Sequence, residues 1–176
     1  MAKSSTEQII EDEKKILSEL IKNSKENINT IAKRCGVSKQ KVYKIIKNLE
    51  KEQMIWGYTA IFDENKMDKQ HYMLLLKRTP KPLKEEETNR IISRRAEDLL
   101  KELGGTIESS ALVHGEYDWV VTFTASGIRQ AKKYSDMLIA LHPGEIQKVT
   151  LLQTLIFIKK QNILNPGREK LKDIIL

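Results

Sequence analysis

A single cysteine, Cys35, is all the thiol chemistry this chain of 176 residues carries. No internal disulfide can form, and a reducing compartment is expected. Set between two predicted helices, Cys35 reads as a small half-buried residue packing a turn. The three histidines, His71, His114 and His142, are remote in sequence from Cys35 and from one another, so metal-ligand spacing is absent and no cofactor is implied. No apolar run approaches the roughly 20 residues of a membrane span, and the polar N-terminus lacks the apolar core of a signal peptide. A cytoplasmic protein with no membrane partner is expected. A phosphate-binding loop and a nucleophile-base-orienter set are missing too. His114, Tyr117 and Asp118 cluster in sequence, but an enzyme is the weakest reading. With aromatics at 6%, only Tyr43, Trp56 and Tyr58 are placed to stack on bases, too few for a single-strand RNA platform.

What the chain has is positive charge, +7 overall with a pI near 9.3, a balance that suits nucleic acid. The charge is concentrated in residues 25–51, where Lys25, Lys33, Arg34, Lys39, Lys41, Lys44, Lys47 and Lys51 face only Glu26 and Glu50. The same stretch spells two short helices and a tight turn. Asn27 can cap the first, and Ile28, Ile31 and Ala32 give it one apolar stripe. Gly36 can adopt the left-handed conformation that ends it, Ser38 caps the second, and Val37 and Val42 have the spacing of a hydrophobic staple. Val42, Ile45, Ile46 and Leu49 then face inward. Lys39, Gln40, Tyr43, Lys44 and Lys47 are left outside. Ser38 and Lys41 complete the set of candidate DNA-contacting residues in this helix-turn-helix, with the lysines on phosphates and Gln40 and Tyr43 reaching base edges. The competing reading, a merely solvated lysine-rich helix, does not account for the two caps and the glycine turn.

Residues 1–5 are expected to fray. A helix over 6–23, with Ile9, Ile16, Leu17, Leu20 and Ile21 inward, supplies the third member of the bundle. MIWGYTAIF at 54–62 reads as a strand, and 63–70 as a polar linker. From His71 the elements run strand 71–78, helix 85–103, strands 107–113 and 119–124 joined by HGEYD, helix 128–141 and strand 149–158. That is a ferredoxin-like βαββαβ order, antiparallel, with two helices on one face. The strands are apolar on both faces, so a second copy of the chain is expected to cover the open one. Domains of 6–62 and 71–161 follow, with a C-terminal extension at 162–176 in which Leu171, Ile174 and Ile175 have helical spacing.

The order of units, together with LEKEQMIWGYTA after the second helix and HGEYDWVVTF in the hairpin, resembles the Lrp/AsnC (leucine-responsive, feast/famine) family of transcription regulators over residues 6–161. The resemblance implies an α+β fold, a winged helix-turn-helix domain followed by a ferredoxin-like domain that dimerises through its sheet. It also implies sequence-specific binding of double-stranded DNA and assembly into dimers, tetramers or octamers. An amino acid effector would bind near the hairpin turn, which places Gly115, Tyr117 and Asp118 in the effector loop. Two other readings stay open. Turn chemistry alone accounts for these three residues, Gly115 by a positive φ and Asp118 by bonds to turn amides, and an effector-independent or chromatin-like architectural DNA-binding protein would need nothing more. The stretch 77–95 is longer than the family's usual connection.

Overall fold

A short helix in water needs its ends satisfied and one face buried, and the N-terminal part of the chain supplies both to its second and third helices. The computed structural model describes residues 5–175; the fraying expected of residues 1–4 lies outside them, and residue 5 already begins a helix. The chain forms two compact units, one running to Ile61 and completed by Ile158–Glu169, the other Phe62–Phe157 with residues from Lys170 onward.

The first unit contains α1 (Ser5–Lys22), α2 (Ile28–Cys35) and α3 (Lys39–Lys51). Its core is Ile16, Leu20, Ile31, Ala32, Val42, Ile45 and Leu49, with Leu17, Ile28, Cys35, Val37, Ile46 and Ile55 at the margin. Ile9 and Ile21, expected inward, are 48% and 58% exposed. Ile21 stands about 140° around the helix from Ile16 at 100° per residue. Ile9 lies a turn beyond Asp12, which takes the inward position instead. Beyond α3 the expected strand 54–62 does not form. The Gln53 N–H bonds to the Glu50 carbonyl at 3.1 Å and the Met54 N–H to the Leu49 carbonyl at 2.9 Å, with Gln53 at φ 57°, which is a Schellman closure of the helix. The chain then continues without a ladder partner among the described residues, and Trp56 is 95% exposed. The unit's two-stranded ladder comes from the far end of the chain, β5 (Lys159–Lys160) and β6 (Ile163–Leu164).

The second unit opens with a 3-10 turn, Glu64–Met67, capped by the Asp63 side chain. Then come β1 (Gln70–Arg78), α4 (Glu85–Ile92), α5 (Arg95–Glu102), β2 (Thr106–Leu112), β3 (Trp119–Ala125), α6 (Ile128–Leu141) and β4 (Ile146–Gln153); α7 (Leu171–Ile175) is the short terminal helix. The sheet is antiparallel in the order β2-β3-β1-β4, the ferredoxin-like arrangement. Tyr72, Leu74 and Leu76 stand opposite Phe123, Val121 and Trp119, and this face packs on Leu100, Ala131, Tyr134 and Leu138. The single helix expected over 85–103 is broken at Ser93, whose ψ of 154° is extended. The Ser93 hydroxyl bonds back to the Arg90 carbonyl at 2.7 Å, and Arg94 pairs with Glu97. Ile92, the last residue of the first piece, is 75% exposed as a result. The last strand stops at Gln153 rather than residue 158, because beyond Thr154, which still bonds the His71 carbonyl at 2.9 Å, the chain departs for the first unit.

Candidate nucleic-acid interface and effector turn

The caps that position α3 are made by the residues whose chemistry requires it. The Asn29 N–H donates to the Asn27 side chain at 2.8 Å, Gly36 takes φ 68°, and the Lys41 N–H donates to the Ser38 hydroxyl at 3.2 Å. Val42, Ile45 and Leu49 are buried, so α3 is held inward by one stripe while Lys39, Gln40, Tyr43, Lys44 and Lys47 stay exposed along the other. The Lys47 ammonium lies 5.8 Å from the Tyr43 ring centroid and 3.7 Å from Glu50, which braces the middle of the face. Two of the candidate contact residues have other work. Ser38 spends its oxygen on the cap. Lys41 reaches back to the carboxylate of Asp12 on α1, and Gln8 donates to the same carboxylate at 3.0 Å. The Lys41 hydrogen bond holds the Asp12 carboxyl below the usual carboxylate range, against the upward push of burial. Asp12 was not anticipated, although a carboxylate on the apolar stripe four residues before Ile16 is the signal that marks it. Cys35 packs at the core margin, where burial raises its thiol and keeps it protonated.

In the hairpin connecting β2 to β3, Gly115 sits at φ 153°, whereas the Asp118 side chain, expected on turn amides, is tied to β1 instead. Its carboxylate accepts the Arg78 N–H at 2.8 Å and meets the Lys77 ammonium at 3.3 Å, while its own N–H and carbonyl bond Leu76 and Val113. The Arg78 amide bond, more than the lysine, holds this carboxyl below its ordinary range. Tyr117 turns its hydroxyl to Thr150 at 3.2 Å, and the Lys148 ammonium lies 5.7 Å from its ring centroid. Beside it opens a shallow depression of about 450 Å³ lined by Lys77, Glu116, Tyr117, Gln147 and Lys148. Gly115, Tyr117 and Asp118 are thus neighbours, but Tyr117 is the one that faces the depression. Lys77 and Lys148 are cross-strand partners on β1 and β4, a juxtaposition that single-strand periodicity cannot reveal.

Elsewhere in this unit, Glu145 joins Arg90 and the His142 ring, whose Nδ1 is 3.1 Å away, and the ring stands edge-on to Trp119 with centroids 5.4 Å apart. Burial pushes the Glu145 carboxyl up, but the bonds from Arg90 and His142 outweigh it and leave it lowered. Among the described residues no group of three or more His, Cys, Asp and Glu side chains is arranged to hold a metal ion, and no helix is long and apolar enough to cross a membrane.

Comparison with known proteins agrees with this geometry. Residues 13–55 match a family model described as winged helix-turn-helix DNA-binding. An uncharacterized HTH-type transcriptional regulator of Bacillus subtilis (strain 168), YugG, is 33% identical over 138 residues, 76% of this chain and 78% of that protein. The crystal structure of an AsnC family transcriptional regulator from Agrobacterium tumefaciens superposes with a TM-score of 0.63 at 20% identity, over 94% of this chain and 98% of the other. A transcriptional regulator from Neisseria meningitidis, solved as a complex with L-Met, gives 0.63 at 16% identity, over 90% and 97%. The helix-turn-helix, the antiparallel sheet of order β2-β3-β1-β4 and these relationships together place the chain in the Lrp/AsnC family of DNA-binding transcription regulators.

Proposed function

We propose that α3 enters the major groove of duplex DNA with Lys39, Lys44 and Lys47 on phosphates and Gln40 and Tyr43 towards base edges. A second copy, paired through the open face of the sheet, presents a second α3 to a two-fold-symmetric site. The observation that carries this reading is the division of labour on α3: one stripe buried, Lys41 bound to Asp12, Ser38 capping, and the remaining cations outward. The chain acts, on this reading, as a cytoplasmic binding protein and not as an enzyme.

Selection of bound sites from random duplex DNA supplies the target, and salt titration tests the residues. Replacing Lys39 and Lys44 by alanine should weaken binding to all sequences and flatten the slope of log K against log salt by about 1.8, two contacts at roughly 0.9 each. Gln40→Ala should change the preferred site instead. An unchanged slope would remove α3 from the interface.

For regulation, the depression beside Tyr117 suits an amino acid. Lys148 and Lys77 can receive its carboxylate and Glu116 its ammonium, while Gly115 and Asp118 hold the wall in shape. The L-Met complex of a protein of the same fold supports this. One observation favours a second reading, a regulator that needs no small effector: the Asp118 carboxylate is already engaged by Arg78 and Lys77. Thermal-shift titration with a panel of amino acids separates the two. A response lost in Lys148→Ala, with ligand-free DNA binding intact, supports the effector; no response to any amino acid supports the second reading.

A further inference from the structure

The segment Ile158–Glu169 belongs to the DNA-binding unit. Lys159–Lys160 pairs with Ile163–Leu164, Gln161 turns the chain at φ 50°, and the Asn165 N–H bonds the Ile158 carbonyl at 3.0 Å. A ladder of two residues per strand cannot hold itself together in water, so it needs an anchor. Asn162 is that anchor. Its side-chain amide donates at 3.2 Å to the Ile21 carbonyl, one of the last-turn carbonyls of α1 for which the helix itself has no donor.

The place of the anchor decides what the hairpin can touch. Ile21 lies in the last turn of α1, six residues before Asn27, the cap of α2, and Arg34 of α2 bonds Glu19 of α1 at 3.0 Å, so the end of α1 and α2 are neighbours. When a helix-turn-helix docks, its second helix lies in the major groove and its first crosses the phosphate backbone. An element hung on Ile21 is therefore attached at the end of α1 that neighbours α2, the helix that crosses the backbone in such a dock. It is also basic. Lys159, Lys160 and Arg168 oppose only Glu169 within the segment, while beside the anchor Lys22 is paired with Glu19 and Glu26 follows Lys25. Meanwhile the segment 54–62 makes no strand that could serve as a wing.

We propose that the β5–β6 hairpin is a second phosphate-contacting element of the DNA-binding unit, gripping the backbone beside the groove that α3 occupies. This rests on α3 being the groove-reading helix. Phosphate contacts carry no sequence information, so the hairpin adds affinity and salt dependence without altering the preferred site.

The test uses the full chain and the selected duplex. Lys159→Gln with Lys160→Gln should flatten the salt slope by about 1.8 relative to the unaltered protein and leave the preferred sequence unchanged. Lys159→Arg with Lys160→Arg should keep the slope. Should the Gln pair melt lower, the two pairs are compared at a temperature where both are folded, and only a slope difference between them supports the proposal. Equal slopes in the Gln pair, the Arg pair and the unaltered protein overturn it. The Lys39 and Lys44 variant is run alongside: if it alone changes the slope, the hairpin inference fails and the α3 reading stands, and if neither pair changes it, the α3 reading fails as well.

Discussion

Asp12 is 2% exposed, and an isolated carboxylate so deeply buried would be costly; Lys41 and Gln8 offset that by giving it a countercharge and a donor. Because its folded-state pKa lies below the ordinary 3.8, the stability it contributes is fully present above pH 3.8 and is lost as pH falls through the depressed value. Asp12→Asn should therefore be less stable than the unaltered protein at neutral pH, with the gap closing as the pH is lowered past 3.8, as followed by urea unfolding across pH. A gap that persists unchanged in acid would show that Asp12 acts by shape and not by charge. Gly105 is the other residue where a single group decides. A Cβ there would meet the Thr124 carbonyl at 2.4 Å and the Leu100 side chain at 2.6 Å, because the end of α5 and β3 close on each other at this point. Gly105→Ala is expected to cost about 2 kcal/mol in chemical denaturation, the range of core overpacking. A Gly-Gly pair after an apolar helix, here Gly104 and Gly105, is by itself only the ordinary signal of a helix stop. That reading misses the close approach of β3, which sequence spacing does not encode.

At the scale of elements, local signals and long-range packing divide visibly. The limits of α6 at Ile128 and Leu141 coincide with its apolar periodicity. So do the caps of α2 and α3, because a cap is a bond between residues two or three apart. The strand expected at 54–62 failed since a strand is defined by its partner, and none arrives. The Schellman closure that replaces it places Gln53 at φ 57°, where glycine is the easier residue. Gln53→Gly relieves left-handed strain of about 1 kcal/mol at an entropic cost of about 0.5 kcal/mol. A net gain of about 0.5 kcal/mol in thermal or urea unfolding is the expected result, and a loss would show that the Gln53 side chain holds the segment after α3. The split between α4 and α5 follows the same rule, since the Ser93 and Arg94 bonds that break the helix are made with backbone and with Glu97, not with the apolar stripe that predicted continuity.

For the whole molecule, the deciding feature is the side of the sheet opposite its helices. Val121 is fully buried beneath α6, whereas Met73, Leu75, Val120 and Leu152 share the opposite face and Leu152 is 46% exposed. Two substitutions to lysine should therefore behave differently. Val121→Lys buries an unpaired charge and should unfold the second unit. Leu75→Lys should leave the circular dichroism spectrum intact while shifting sedimentation of the full chain to the monomer, if this face joins two copies. A Leu75→Lys protein that still sediments as a dimer would move the interface elsewhere.

By itself the sequence determined the two-unit order, the helix-turn-helix with both caps and the outward stripe of α3, because each depends on residues within about one helical turn of one another or on the strand period of two. It also carried, in LEKEQMIWGYTA and HGEYDWVVTF, the resemblance to the Lrp/AsnC family. Only the tertiary structure decided that Lys41 serves Asp12, that Asp118 is held by Arg78 and Lys77, that Lys77 meets Lys148, and that the C-terminal hairpin completes the DNA-binding unit. Each of these contacts joins residues roughly thirty or more positions apart, and charge or periodicity along the chain cannot say which distant partner will arrive.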